Sequence, residues 1–411
     1  MSEAVAPPPA SRWAAFRHPG FGAYWGAQLC SNFGVQVQTV AVGWQVYDLT
    51  RDPFDLGLIG LSQFLPALML VLVTGATADR FPRRRIMAIC LALEAACAAV
   101  LLAMTLRGFT SALPVFLLLA VFGTARAFYN PARQALLPNL VPPSHLGNAI
   151  AVNTTAFQLA TISGPVAGGL LYAVSPYLAY GAAGALFLAA SAFVSRIPKP
   201  PVRTAGRAAS WESLSAGFRY IWREKVVLGA ISLDLFAVLL GGATALMPVY
   251  ARDILHLGPA GLGVLQAAPA VGAIGVGFWL MSRPIADHAG RLMFAGVAVF
   301  GLGMLVFAIS ETLWLSVLAL AILGGGDMVS VYVRGTLVQL WTPDEVRGRV
   351  NAVNQVFIGA SNELGGFRAG TMAALIGPVA AVAVGGAGTL AVVALWTRWF
   401  PDLVRIRRLT D

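Results

Sequence analysis

Six ionisable side chains lie inside long apolar segments of the sequence, away from the charges that flank those segments. They are Glu94, Arg126, Asp234, Asp327, Glu363 and Arg368. An ionisable group in an apolar span is costly, so it marks a water-filled cavity, a charge pair or a proton-binding site. Burial favours the neutral form of a carboxyl group, whereas a neighbouring arginine favours the charged form. The carboxyl group least paired with arginine is therefore the best candidate to bind and release a proton.

This criterion ranks the carboxyl groups as proton carriers in the order Asp234, Asp327, Glu363 and Glu94. Asp327 ranks below Asp234 because Arg126 lies at an equivalent depth of another apolar segment, and the two are predicted to meet as a gate. Arginine keeps its proton, so Arg126 needs a partner or water. The alternatives are that each of these residues is bonded to its own neighbours, and that a buried carboxyl group simply stays protonated.

Uncharged polar side chains accompany the ionisable groups and predict the wall of a substrate cavity. They are Asn32, Gln36, Thr39, Tyr129, Asn130, Asn153, Asn354, Gln355 and Asn362. Polar side chains are unfavourable against lipid, so we expect these residues to face water. Hydrogen bonding between helices, without any ligand, is the alternative interpretation.

The elements that must hold these residues are membrane-spanning helices. Of the 411 residues, 58% are hydrophobic and only 11% are charged, too few charges to cover a soluble protein of this size. The apolar runs are about 20 residues long, the length that crosses a hydrocarbon core of roughly 30 Å. Twelve spans are predicted, at 21–48, 56–77, 86–106, 112–135, 146–173, 177–195, 226–250, 259–282, 291–310, 313–340, 346–376 and 378–400.

The positive charge is distributed as in a membrane protein, which excludes the nucleic-acid partner that a net charge of +10 suggests. Of the 28 lysines and arginines, 23 fall on one side of the predicted membrane or at its helix ends. The positive-inside rule then places both termini in the cytoplasm. No separate apolar stretch precedes a cleavage site, so no signal peptide is predicted. The charges of the first outer loop are expected to form a solvated rim: Asp48, Arg51, Asp52 and Asp55.

Neither a nucleotide site nor a catalytic or metal site is predicted. The sequence has no Gly-x-x-x-x-Gly-Lys-Ser/Thr run, so ATP is not expected to supply energy. The four histidines stand singly near loops, and the three cysteines lie in apolar spans as small hydrophobic residues. These features argue against an enzyme and predict no cofactor.

A charged segment between the second and third spans reads Gly-Ala-Thr-Ala-Asp-Arg-Phe-Pro-Arg-Arg-Arg over residues 75–85. It resembles the signature of the major facilitator superfamily. The matching residues of the superfamily pattern are Gly75, Asp79, Arg80, Arg83 and Arg84, while Pro82 stands where glycine is usual. The resemblance implies a gating loop that stabilises the outward-facing state, with Asp79 approaching the start of the eleventh span.

The fifth span carries a second signature, Gly164-Pro165-x-x-Gly168-Gly169. Glycine and proline let a helix bend and let a neighbour approach closely, so plain packing would explain them. The pattern also resembles the motif of the exporter branch of the superfamily. That resemblance implies transport directed out of the cell.

The second half of the chain repeats the first. The segment from Arg133 to Asn153 matches residues 334–354, and the same offset relates Gly169 to Gly370. Near the start of each half Val46-Tyr47 matches residues 249–250, and Ala78-Asp79 matches residues 286–287. Parallel repeats place the substrate site between the two halves. The predicted domains are a tail 1–20, a six-helix bundle 21–195, a basic linker 196–225, a second bundle 226–400 and a tail 401–411.

The resemblance covers the whole chain and predicts an all-α membrane protein with twelve helices in two pseudo-symmetric bundles. The His-Pro-Gly-Phe sequence at 18–21, Gly-Phe-Arg-Tyr at 217–220 and the segment 341–350 are similar to the branch of enterobactin and macrolide exporters. This implies proton-driven export of an amphipathic small molecule, such as a siderophore or drug, by a monomer in the bacterial inner membrane. A nutrient importer, a lipid flippase and a non-transporting membrane protein are the alternatives.

Overall fold

The chain is almost entirely helical in a computed structural model, which describes residues 13–198, 211–285 and 287–408. The N half contains α1 (Phe21–Thr50), α2 (Pro53–Met69), α3 (Val71–Arg80), α4 (Arg83–Arg107), α5 (Leu113–Leu136), α6 (Pro143–Val174) and α7 (Pro176–Ser195). Helix α8 (Trp211–Arg223) connects it to the C half. The C half contains α9 (Lys225–Gly241), α10 (Met247–Val249), α11 (Pro259–Ser282), α12 (Ala289–Ala308), α13 (Leu313–Trp341), α14 (Asp344–Ile376) and α15 (Pro378–Trp399), followed by α16 (Pro401–Arg405).

Parts of four predicted features lie outside the described residues. These parts are residues 1–12 of the first tail, 199–210 of the basic linker, Ala286 of the repeat and 409–411 of the last tail. The remaining chain has two ends that we name by their contents. The tail face carries residues 13–20, α8 and residues 401–408, and the loop face carries the opposite ends of the long helices.

The described residues contain twelve segments of membrane-spanning length. Nine of them are apolar enough to cross a membrane, including the interrupted segment Lys225–Ile254, and α2 with α3 forms a tenth, bent by 62°. The other two are α1 and α14, with 30 and 33 residues, which are long enough but more polar. Both helices are polar because they carry many of the amide and charged side chains predicted to face a cavity.

The predicted gating loop is much shorter than expected. Helix α3 continues to Arg80 and α4 begins at Arg83, so only Phe81 and Pro82 lie between them. Pro82 precedes the first residue of α4, and its carbonyl accepts the amide of Arg85 at 2.8 Å. Proline tolerates a helix start because its fixed φ suits that position and its missing N–H is not needed there.

The seventh span is broken rather than continuous. Helix α9 ends at Gly241. The next residue, Gly242, has a φ of +47°, which favours glycine, and a 3-10 turn Ala243–Leu246 follows. After α10 the chain forms a π-helical turn, Tyr250–Ile254. Such turns insert an extra residue into a helix and are found at functional sites. The break turns the side chains of residues 250–254 away from the direction that a regular helix would give them.

Two helix pairs join the halves, α6 with α11 and α2 with α14. Gly169 of α6 contacts Pro259, the first residue of α11, and a Cβ on Gly370 of α14 would lie 2.7 Å from the carbonyl oxygen of Pro53, the first residue of α2. Because Gly169 and Gly370 are equivalent in the repeat, the two contacts are related by the pseudo-twofold axis. Both lie near the loop face and bring the halves together there.

Candidate functional site

Charged side chains of the two halves meet at the loop face. Asp48 at the end of α1 forms an ion pair with Arg252 of the π-helical turn, and Arg51 lies 3.4 Å from Asp253. The Tyr47 hydroxyl also bonds Asp253. We name Asp48, Arg51, Arg252 and Asp253 the loop-face ion cluster. Asp48 and Arg51 are about half exposed, as expected of a solvated rim, and in addition they have partners in the C half.

In the N half, Arg126 lies between a carboxyl group and an aromatic ring. Its Nη1 lies 3.7 Å from Oε1 of Glu94 and donates to Oγ of Ser31 at 3.1 Å. Its guanidinium carbon lies 5.0 Å from the centre of the Tyr129 ring. Glu94 is 0% exposed, and neither of its oxygens has a hydrogen-bond partner among the described residues. Glu94 thus depends on Arg126 for charge compensation.

A second arginine of the N half belongs to the same polar group. Arg133 donates to Oε1 of Gln28 at 3.3 Å, and Gln28 donates in turn to the Tyr129 hydroxyl at 3.0 Å. The Tyr24 hydroxyl donates to the carbonyl of Arg133 at 3.2 Å. Gln28 was not predicted as a site residue, and Arg133 was noted only as part of the repeat. Together these bonds hold α1 against α5.

The C half has a tighter and more buried pair. Arg334 of α13 lies 2.5 Å from Asp234 of α9, and the two residues are 5% and 6% exposed. Asp234 was predicted to be the carboxyl group least paired with arginine, and this is wrong. The repeat contains the signal that was missed, since Arg334 is the counterpart of Arg133. Each of these arginines bonds a side chain on the first helix of its own half.

Asp327 lies beside this pair. With Asp234 and Ser330 it lines a cavity of about 10 Å³, the space of a single water molecule. Arg126 and Asp327, predicted to meet as a gate, do not: Arg126 contacts Glu94 in the N half, whereas Asp327 lies inside the C half. The two residues occupy similar depths but face their own bundles. Arg126 is thus bonded within its own half, as in the alternative interpretation, and Asp327 lines a cavity inside the C half.

Glu363 and Arg368 of α14 lie five residues apart but have separate surroundings. Arg368 donates to the carbonyls of Leu239, at 2.9 Å, and Leu240, and so caps the end of α9. Glu363 contacts Gly60 of α2 across the halves and has no ion pair or hydrogen bond among the described residues. Arg368, the arginine closest to Glu363 in the sequence, is therefore occupied with the broken seventh span.

A polar cavity of about 530 Å³ lies between the halves near the tail face. Its amide-bearing residues are Gln134 of α5, Gln339 of α13 and Asn351, Asn354 and Gln355 of α14. Arg334 lies in its wall, next to the buried Asp234. Asn354 and Gln355, which were predicted to line a substrate cavity, lie in the wall of this one.

The other predicted cavity residues have varied surroundings. Asn32 and Tyr129 are buried, Thr39 is exposed and Asn130 is half-buried. Gln36 packs against Gly164, and Asn362 donates to the carbonyl of Ile358 in its own helix at 2.8 Å. The side-chain oxygens of Asn153 and Asn354 are both buried without a hydrogen-bond partner among the described residues. Because these two asparagines are equivalent in the repeat, the halves present a matched pair of unsatisfied acceptors.

The glycines of the fifth span serve two different contacts. A Cβ on Gly168 would lie 2.9 Å from the Cα of Val37, so Gly168 brings α1 close to α6. Gly169 instead contacts Pro259 of the C half, and the carbonyl of Pro165 contacts Gly263. The predicted exporter motif therefore lies at the junction of three helices.

The residues of the predicted gating motif bind helix ends within the N half. Arg83 donates to the carbonyl of Ala135 at 3.0 Å and Arg84 to that of Ile197 at 2.5 Å. Cations favour such helix C-termini because of the carbonyl groups exposed there. Gly75 and Asp79 are half-buried and Arg80 is exposed, and Asp79 has no bonded partner among the described residues. In this conformation no hydrogen bond or ion pair joins Asp79 to the start of α14 among the described residues.

Comparison with known proteins assigns the family. The family model described as "Transmembrane secretion effector" matches residues 10–403. The enterobactin exporter EntS of Citrobacter koseri is 27% identical over 398 residues, covering 95% of this chain and 94% of the exporter. The enterobactin exporter EntS of Escherichia coli O81 is 27% identical over 399 residues, with the same coverage.

Solved structures of transporters share the fold at low sequence identity. The nucleoside transporter NupG has a TM-score of 0.71 at 14% identity, covering 93% of this chain and 99% of that chain. A bacterial homolog of the human lysosomal transporter Spinster, inward-facing and occupied, has a TM-score of 0.73 at 14% identity, covering 96% and 99%. These likenesses confirm the two-bundle helical fold. The chain is a multi-pass secondary transporter, not an enzyme, and belongs to the transmembrane secretion effector family of the major facilitator superfamily.

Proposed function

We propose that this protein exports an amphipathic small molecule, of the siderophore or drug class, across the bacterial inner membrane in exchange for protons. The similarity to two enterobactin exporters supports the direction and the class of substrate. The positive-inside distribution of lysine and arginine supports a cytoplasmic location for the tail face and both termini. The protein works as a monomer in the bilayer, with the proton gradient as its source of energy and without a cofactor.

The observation that carries this proposal is the amide-lined cavity near the tail face. A volume of about 530 Å³ lies within the range of small-molecule sites, roughly 300–1,000 Å³. Asparagine and glutamine offer donors and acceptors together, which suits a ligand with several hydroxyl and carbonyl groups. With the loop face closed by the ion cluster and the glycine contacts, a cavity near the tail face is suited to loading from the cytoplasm.

The buried carboxyl groups supply candidates for the exchanged proton. Arg334 compensates one negative charge, but Asp234 and Asp327 both lie in its neighbourhood. Two carboxylates beside one arginine favour protonation of one of them, because like charges repel and burial disfavours an uncompensated charge. Asp327 lacks the direct ion pair, so we assign the exchanged proton to Asp327, with Glu363 as the second candidate.

Proteoliposomes test the exchange directly. Purified protein is reconstituted with a proton-sensitive dye inside, and a panel including a catecholate siderophore and a macrolide is added outside. We expect substrate entry to release protons from the vesicle interior, and Asp327→Asn to abolish that release while substrate still binds. Asp402→Asn, an exposed carboxylate in α16, is the matched control and should behave as wild type.

Three results would contradict parts of the proposal. Proton release that persists in Asp327→Asn but is lost in Glu363→Gln would move the proton to Glu363. Uptake of a panel member into intact cells, without any efflux from loaded cells, would identify an importer instead. Movement of lipid headgroups between leaflets, without flux of any soluble compound, would identify a flippase.

A further inference from the structure

A long apolar groove runs along the outside of the C half, apart from the polar cavity. It has a volume of about 580 Å³ and lies between α11 and α12 with α13 as its floor. Its lining includes Gly275, Trp279, Leu292, Val299, Ile322 and Gly326. A second apolar pocket of about 210 Å³ shares Val299 and Ile322 with it and continues along α12 to Val306. Leu292 and Val306 are separated by about 20 Å at helical rise, which exceeds one half of a hydrocarbon core of roughly 30 Å.

The groove is deep because glycines bring its walls onto the floor. A Cβ on Gly296 of α12 would lie 2.6 Å from the carbonyl oxygen of Gly326, and Gly272 of α11 contacts Ala321 of α13. Gly275 is different, since a Cβ there would meet no atom within 4 Å. Gly275 therefore leaves open space in the groove rather than permitting a helix contact.

The groove faces away from the central cavity. On α13 the groove is lined by Ile322, Gly326 and Val329, whereas Val331 and Arg334 line the polar cavity. At about 100° per residue, the two sets point roughly 150° apart on the helix. Trp279 and Ile322 are 52% and 47% exposed. In a membrane-spanning bundle, an exposed apolar surface of this kind faces lipid.

A basic cluster lies where the groove reaches the tail face. Arg283 follows the last residue of α11, Arg291 lies in the first turn of α12, and both are exposed without an ion pair or hydrogen bond among the described residues. Arg407 is brought to the same place because its carbonyl accepts the amide of Ala289 at 3.0 Å. The carboxylate of Asp287 is also nearby, but it is paired with a histidine, since its Oδ2 lies 3.2 Å from Nδ1 of His288. Positive charge therefore predominates at this end of the groove.

We propose that this groove binds an anionic phospholipid from the leaflet at the tail face. An acyl chain occupies the apolar groove, and the phosphate contacts Arg283, Arg291 and Arg407. Trp279 lies between these two regions, as tryptophan does at membrane interfaces. Basic clusters at a membrane surface attract anionic headgroups over neutral ones, and the length and apolarity of the groove match an acyl chain. This site does not depend on the identity of the transported molecule.

Native mass spectrometry tests the site on the full-length protein. The purified protein is incubated with equal amounts of phosphatidylglycerol and phosphatidylcholine that carry identical acyl chains. We expect several-fold more bound phosphatidylglycerol than phosphatidylcholine. The double variant Arg283→Gln, Arg291→Gln should lower this ratio toward one. Gly275→Leu, which fills the groove, should lower retention of both lipids.

The experiment has one control variant, and three results would overturn the proposal. Gly181→Leu is the matched control, because Gly181 of α7 also has open space around it and lies in the N half. Equal binding of the two lipids by the wild type overturns the proposal, as does an unchanged ratio in the arginine variant. Retention by Gly275→Leu equal to that by Gly181→Leu also overturns it. If Gly275→Leu does not fold, the arginine variant decides, since its changes are on the surface.

Discussion

Gly169 and Pro259 belong to different halves of the molecule and touch near the loop face without space for a side chain between them. Gly370 repeats this contact with Pro53 on the other side of the pseudo-twofold axis. Each glycine meets the first residue of a helix from the opposite half. The halves are thus joined at two equivalent points, and closure of the loop face requires that both points remain free of side chains.

A methyl group at Gly169 should open the loop face. Gly169→Ala introduces an atom into close-packed backbone, and overpacking of this kind costs about 1–3 kcal/mol. Since about 1.4 kcal/mol is a tenfold change in an equilibrium, the closed state should lose at least several-fold in population. Spin labels at Arg107 and Glu311, both exposed on the loop face of opposite halves, measure the separation.

The control for this experiment lies on the same helix. Gly147→Ala adds the same methyl group at a position where a Cβ meets nothing within 4 Å. Its label distances should match those of the wild type, and Gly370→Ala should behave like Gly169→Ala. Identical distance distributions in Gly169→Ala and Gly147→Ala would show that the glycine contact does not control closure.

The loop-face ion cluster should add a smaller, salt-dependent contribution to closure. Asp48 and Arg252 are partly exposed, and pairs of this kind contribute about 0.2–1 kcal/mol. Asp48→Asn and Arg252→Gln should each shift the label distances toward the open state, and the double variant should shift them no further than either single change. Raising the salt concentration should weaken closure in the wild type more than in the variants. Additive shifts would mean that the pair is not coupled.

Within the buried Asp234–Arg334 pair, loss of the arginine should lower the stability of the protein more than loss of the aspartate. Arg334→Met leaves Asp234 buried without its partner, and breaking a buried pair costs about 3–5 kcal/mol. The double variant Asp234→Asn, Arg334→Met removes both charges and should regain much of that loss. Asp234→Asn alone should be milder, because Asp327 remains close to Arg334. Thermal unfolding in detergent, followed by intrinsic fluorescence, measures these differences.

An exposed pair in the same half provides the comparison. Asp344 and Arg347 are also 2.5 Å apart, but Asp344 is on the surface. Asp344→Asn should change the free energy of unfolding by no more than about 1 kcal/mol. If Arg334→Met were as stable as Asp344→Asn, burial of the Asp234 pair would have no energetic consequence.

Arg368 should matter for the broken seventh span rather than for transport chemistry. Arg368→Met removes two hydrogen bonds from a charged donor, each contributing about 1.5–3 kcal/mol, and leaves the carbonyls of Leu239 and Leu240 without this partner. We expect lower thermal stability and faster hydrogen exchange in residues 242–249. Arg398→Met, at the exposed end of α15, is the control. Unchanged exchange in 242–249 would argue that the break is held by other contacts.

The repeat made much of the architecture predictable. The same sequence offset relates Arg133 to Arg334 and Gly169 to Gly370. Each arginine bonds a side chain on the first helix of its own half, and each glycine contacts the first residue of a helix from the opposite half. Hydrophobic length predicted the twelve long segments, including the polar α1 and α14. The repeat offset and the length of a hydrophobic segment depend only on the order of residues along the chain. Both can therefore be determined without knowing how each helix is rotated about its axis.

The partners of the charged residues could not be predicted in the same way. Depth along a helix follows from counting residues, but the direction of a side chain around the helix axis depends on packing. Arg126 and Asp327 have similar depths and face different bundles, and Asp234 meets an arginine a hundred positions away. The function of Arg368 depends on the break after Gly241, which apolar composition alone does not reveal because the segment remains hydrophobic throughout.

The polarity of α1 and α14 has a consequence for biosynthesis. Charged and amide side chains oppose the partition of a single helix into lipid, so neither helix enters the membrane favourably alone. When α14 is synthesised, its contact partners α2 and α9 have already been made. Helix α1 is made first, however, and its partners α6 and α7 begin only at Pro143 and Pro176. We therefore expect the N half to enter the bilayer as a group of helices rather than one helix at a time.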